Sequence, residues 1–171
     1  MRPEYSFKKL QGAFFAILFS AAALCLPASA FATQATTTIA VSLIIASGCT
    51  ISANPLTFPT ASGPGDQTKT TQIDITCTTG TTYAVGIDAG LHSADVAARK
   101  MEGPAAATLT YSIYQDSLHT LVWGNTQGVN TVSGTGNGVN QELVAYGIAP
   151  EPSPVPGPGT YTDTVTVYIY Y

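Results

Sequence analysis

The chain has 171 residues and a formal net charge of −4, with 9% of its residues charged against 45% hydrophobic. So sparse and acidic a composition offers no basic patch for nucleic acid and no polybasic stretch for a membrane surface. Gly, Pro and Tyr are plentiful (16, 11 and 9), and with abundant Thr and Val they suit a β-protein punctuated by turns.

Residues 1–32 read as a secretory signal. Arg2, Lys8 and Lys9 make a basic start, Leu10 to Leu26 is an apolar run, and Pro27 precedes small-residue cleavage signals. Both Ala28-Ser29-Ala30 and Ala30-Phe31-Ala32 fit; cleavage after Ala32 is preferred because it leaves a polar Thr33-Gln34 start. A membrane anchor fits less well, since the run is short and has Gln11 and Gly12 near its start. The protein is therefore expected to be exported. The mature chain is of single-domain size and carries Lys69, Arg99 and Lys100 against nine acidic residues.

Residues 33–48 form an arm. Ile39, Val41, Leu43 and Ile45 fall on one side of it and Thr38, Ala40, Ser42 and Ala46 on the other, the period of a strand with one buried face. It has no evident hairpin partner, so it is read as a strand made to be buried in another molecule; the rival is the first strand of its own sandwich. Cys49 and Cys77 are the two cysteines left once the signal, with Cys25, is removed. In an oxidising compartment such a pair reads as one disulfide. Closing a loop of about 29 residues restricts the unfolded chain by roughly 3–4 kcal/mol.

Beyond Cys49, short strands are expected at Thr50–Ala53, Thr71–Cys77, Tyr83–Ile87, Leu109–Tyr114 and Glu142–Ile148, with turn clusters between them. The short link Thr78–Thr81 suggests that the strands on either side of it form a hairpin. Gly90–Gly103 reads as irregular, with a helical turn considered at Ala94–Arg99, and Gly124–Asn140 as a long surface loop. Pro150–Gly159 is too rich in proline to join a ladder. The last strand, Thr160–Tyr171, puts Val165, Val167, Ile169 and Tyr171 on one face. No helical period runs for three turns. The pattern is an all-β antiparallel sandwich.

Candidate chemistry is thin. Asp88, His92 and Asp95 match no metal-site spacing. There is no nucleophile elbow and no phosphate loop between strand and helix, so neither enzymatic activity nor a cofactor or metal is expected. Trp123 and the tyrosines suggest a second reading, a self-contained secreted sandwich that binds a ligand such as a glycan.

The ordered set of motifs resembles the spore coat protein U domain family, which includes the pilins of archaic, Csu-type chaperone–usher pili. The residues are Ser47-Gly48-Cys49, Asn54-Pro55-Leu56-Thr57-Phe58, Ile75-Thr76-Cys77, Arg99-Lys100-Met101, Leu109–Tyr114, Val122-Trp123-Gly124 and Pro158–Val165. Pro59 departs from it, standing where a Gly is expected. The resemblance implies an incomplete immunoglobulin-like sandwich over residues 49–171, completed by a donor strand from another subunit. The donor face would be Ile39, Val41, Leu43 and Ile45, and the receiving strand that of Val165, Val167, Ile169 and Tyr171. It also implies a periplasmic chaperone, an outer-membrane usher and neighbouring pilin subunits as partners. The function implied is a structural subunit of a surface pilus or coat polymer that supports adhesion or biofilm formation.

Overall fold

Alternation at every second residue decides where most strands form. The computed structural model describes residues 33–61 and 64–171; the expected signal, residues 1–32, lies outside them. The described residues of 43–171 build a two-layer sandwich of eight strands. They are β1 (Cys49–Ala53), β2 (Gln67–Cys77), β3 (Thr82–Ile87), β4 (Arg99–Glu102), β5 (Thr108–Tyr114), β6 (Val132–Thr135), β7 (Gln141–Ala149) and β8 (Val167–Tyr170). One sheet has the order β1-β2-β7-β5-β4 and the other β6-β3-β8, with every pairing antiparallel. The architecture is all-β and immunoglobulin-like.

The core lies where the inward faces meet. Ile73, Ile75 and Cys77 of β2 pack with Tyr83, Val85 and Ile87 of β3, with Tyr111 and Ile113 of β5, and with Trp123 and Ala145. Gly147 of β7 leaves room on this side, because a Cβ there would meet Leu56 and Phe58. Those two side chains, from the loop after β1, pack against the core edge.

Three expectations from sequence are corrected by the fold. β2 and β3 are not a hairpin: they belong to opposite sheets, and β3 pairs with β6 and β8. Two N–H groups of the link between them go to remote segments, Thr78 donating to the Gly48 carbonyl and Gly80 to that of Gly136, while Thr81 closes a turn on Thr78. Two strands with buried faces thus stack face to face instead of edge to edge. Within the stretch read as a surface loop, Val132–Thr135 is a strand; its Gly134 is dictated by the Tyr83 ring, which a Cβ would strike. The stretch Ala94–Arg99 has no helix but a turn leading into β4. Residues 33–48 have no regular secondary structure, as expected of alternation with no ladder to join.

Candidate functional site

A sheet is open wherever its outermost strand has a ladder on one side only. Among the described residues, β1 pairs with β2 alone and β8 with β3 alone, and these two edges approach each other from opposite sheets. Cys49 and Ile51 of β1, and Val165, Val167 and Ile169 on and before β8, pack against the core yet stay only half-buried. Tyr171, read as the fourth member of that face, is 64% exposed. It lies past the last paired residue of β8, so no ladder holds it inward. With Gly48, Cys49 and Thr50 it lines a shallow open depression of about 440 Å³.

The arm has the opposite character. Ile39, Val41, Leu43 and Ile45 are each at least 75% exposed, and Ile44, on the other parity, is 91% exposed. Its root is fixed: Cys49 and Cys77, directly opposed in the β1–β2 register, are joined by a disulfide.

β8 is short, and carboxylates hold the segment that leads into it. Asp88, just after β3, accepts hydrogen bonds from the backbone N–H of Gly90 (3.0 Å) and Thr166 (2.9 Å). Asp163 accepts from the Leu91 N–H (2.9 Å) and the Tyr111 hydroxyl (2.7 Å). Gly90 has φ +80° and a Cβ there would collide with Asp163, so glycine is needed on both counts. Burial, and next the bond to Asp163, push the Tyr111 phenol well above its ordinary range.

Under this loop sits Arg99, fully buried. Its guanidinium donates to four backbone carbonyls: Nε to Asp88 (2.7 Å), Nη1 to Val96 (2.7 Å), and Nη2 to Ile87 (2.9 Å) and Trp123 (2.7 Å). Burial presses the guanidinium's pKa down, and Tyr111, Asp88, Asp163 and Asp95 counter it. Sequence reasoning placed Arg99 in a polar loop, and nothing in the neighbouring residues, Lys100 among them, signalled its burial.

Other candidates are not brought together. His92 lies 3.5 Å from Glu102, and among the described residues no three metal-ligating side chains cluster. Trp123 does not line a ligand surface. It is buried, and its Nε1 donates to the Val85 carbonyl at 2.9 Å. Tyr168 and Tyr170, on the face of β8 opposite Val167 and Ile169, stack on each other with centroids 6.1 Å apart. Their spacing of two along a strand was the available signal for this.

The model of one protein family, the Spore Coat Protein U domain, matches residues 35–168. The chain belongs to the spore coat protein U domain family. No curated protein matches it. Among solved structures, this spore coat U domain is similar to a chain in the CsuC–CsuE chaperone–tip adhesion subunit pre-assembly complex from archaic chaperone–usher Csu pili of Acinetobacter baumannii. The TM-score is 0.56 and the identity 23%. The match covers 74% of this chain and 40% of that one, and the likeness is one of fold.

In the spore coat U domain, the Asp88 clasp makes the β8 lead-in acid-sensitive. Burial opposes ionisation of Asp88, but the N–H groups of Thr166 and Gly90, the Thr166 hydroxyl and the Arg99 charge outweigh it, so the carboxyl sits below its ordinary 3.8. A lowered native value gives stability that is present above the ordinary carboxylate range and is lost as pH falls through the native value. Asp88→Asn is therefore expected to flatten the acid limb of a melting-temperature profile below about pH 4. An unchanged acid limb would remove Asp88 from the account.

Proposed function

We propose that this chain is a structural subunit of a surface pilus or coat polymer, assembled by the chaperone–usher pathway through donor-strand complementation. In this reading residues 1–32 direct export, residues 33–48 are the donor arm, and residues 49–171 are the receiving sandwich. One observation carries it: a segment with exposed, alternating large apolar side chains precedes a sandwich whose β8 edge is unpaired and half-covered. Each has what the other lacks. An arm added along β8 gains a backbone ladder and buries its apolar row. Four large side chains taken out of water amount to about 6–12 kcal/mol gross.

The partners follow from the same need. An unpaired apolar edge is an aggregation hazard, so a periplasmic chaperone would cover it until an outer-membrane usher passes the subunit to its neighbour. A head-to-tail contact that does not close generates a filament. Family membership and the likeness to a Csu pilus complex support this assignment, and a structural role at the cell surface, in adhesion or biofilm formation, goes with it rather than catalysis.

Leu43→Asp tests the arm. It puts a charge in the middle of the apolar row, where burial without a partner is costly, and leaves the sandwich untouched. The expected result is normal subunit in the periplasm with polymer largely lost from the surface, seen by electron microscopy. Fibres of unchanged length and number would overturn the reading.

A further inference from the structure

An arm lying along β8 has two faces, and the outer one also meets a surface. On β8 that surface is made by Tyr168 and Tyr170, which point away from the core and stack with planes 12° apart. Towards β3 their cross-strand neighbours are Gly86 and Ala84, side chains too small to interlock with a ring. Towards the free edge they have no neighbour in the sheet. On the arm, the residues between the apolar ones are Ala40, Ser42 and Ile44. Adjacent strands keep like faces together, so if Ile39, Val41, Leu43 and Ile45 point inward, these three share the outer face with the tyrosines.

The register follows from matching the two apolar rows. Ile39, Val41, Leu43 and Ile45 are flanked at the same parity by Thr37 and Ser47, while Val165, Val167, Ile169 and Tyr171 are preceded by Asp163. Sliding the arm by two residues strands an apolar side chain in each row, so the full match is favoured. It also gives Tyr171, exposed in the uncomplemented sandwich, an apolar partner. Ser42 is the centre of one row and Tyr168 the centre of the other. Whichever way the arm runs, these two are opposite each other.

Resting on the donor-strand reading, we infer that the Tyr168–Tyr170 stack is the outer half of the donor-strand seat, and that it selects a small residue at position 42, with Ser42 of the incoming subunit lying beside Tyr168. A small residue leaves room for the ring to cover the donor backbone from solvent. Ile44, 91% exposed in the arm, lies one step along the same face, opposite Tyr170 if the arm runs parallel to β8 and opposite Thr166 if it runs antiparallel.

The test is cysteine pairing across subunits. Directly opposite residues on paired strands have Cα atoms about 4.5–5.5 Å apart, within the span of a disulfide. Subunits carrying Ser42→Cys are co-expressed with subunits carrying Tyr168→Cys, and surface polymer is run on a non-reducing gel. The expected result is a cross-linked dimer that reverts to monomer on reduction, with none from Leu43→Cys paired with Tyr168→Cys, whose side chains lie on opposite faces. Polymer that forms normally without the Ser42–Tyr168 cross-link, or that links through position 43 instead, overturns the inference and leaves the donor-strand reading standing. Polymer that is indifferent to Leu43→Asp defeats the donor-strand reading itself. If the cysteine variants do not assemble, a size swap decides: Ser42→Tyr is expected to lower polymer yield several-fold, and Tyr168→Ala in the receiving subunit to restore much of it. No restoration overturns the inference.

Discussion

Deleting residues 33–47 is expected to abolish the head-to-tail polymer and to leave a sandwich that aggregates or unfolds unless a strand is supplied. The deletion removes the apolar row Ile39, Val41, Leu43 and Ile45 and leaves Val165, Val167 and Ile169 half-covered at an unpaired edge. In mass-action terms, whatever fills that edge stabilises the folded state by an amount that grows with the logarithm of its concentration once that exceeds Kd. A synthetic peptide of residues 36–47 should therefore raise the melting temperature of the deleted protein in a concentration-dependent way. A stable, cooperative monomer that lacks the arm and ignores the peptide would show that the sandwich is self-sufficient.

Arg99→Leu is expected to cost about 3–5 kcal/mol of folding stability, because taking away one side of a buried charged network leaves the other side without partners. Here the abandoned groups are the carbonyls of Ile87, Asp88, Val96 and Trp123. They come from the end of β3, the loop after it and the strand-like segment at Trp123, so one guanidinium ties three pieces of chain. Arg99→Lys is expected to fall only slightly short of the leucine variant in damage, since an ammonium on a flexible stem cannot reproduce the planar fork. Urea unfolding at a fixed protein concentration measures both. A loss below about 1 kcal/mol, the range of a typical surface pair, would mean that the carbonyls find other donors.

The parts of this fold that were legible in the sequence are those governed by a local period. Ile73-Ile75-Cys77, Tyr83-Val85-Ile87 and Tyr111-Ile113 alternate cleanly and all point into the core. What was not legible depends on distant partners. The Val132–Thr135 strand shows almost no apolar alternation; it exists because β3 offers an edge and because Tyr83 lies across Gly134. The choice between hairpin and crossover after Cys77 was set by where Thr78 and Gly80 find acceptors, on segments remote in sequence. Arg99 looked like a solvated loop cation because its ligands are main-chain carbonyls, which leave no trace in residue identity. For the site, the apolar rows and the common face of Tyr168 and Tyr170 could be read in advance from alternation, but the exposure of Tyr171 needed the register of β8.

The bridge between Cys49 and Cys77 has a mechanical meaning if subunits are strung together by their arms. Any pull on such a filament enters each sandwich at the foot of the arm, one residue before Cys49. Without a covalent tie, that tension would peel β1 from β2 one hydrogen bond at a time. With the tie placed at the first residue pair of the β1–β2 register, the load bypasses β1 and passes directly into β2. That strand is hydrogen-bonded along both sides, so the subunit resists traction as a whole body instead of unzipping from its weakest margin.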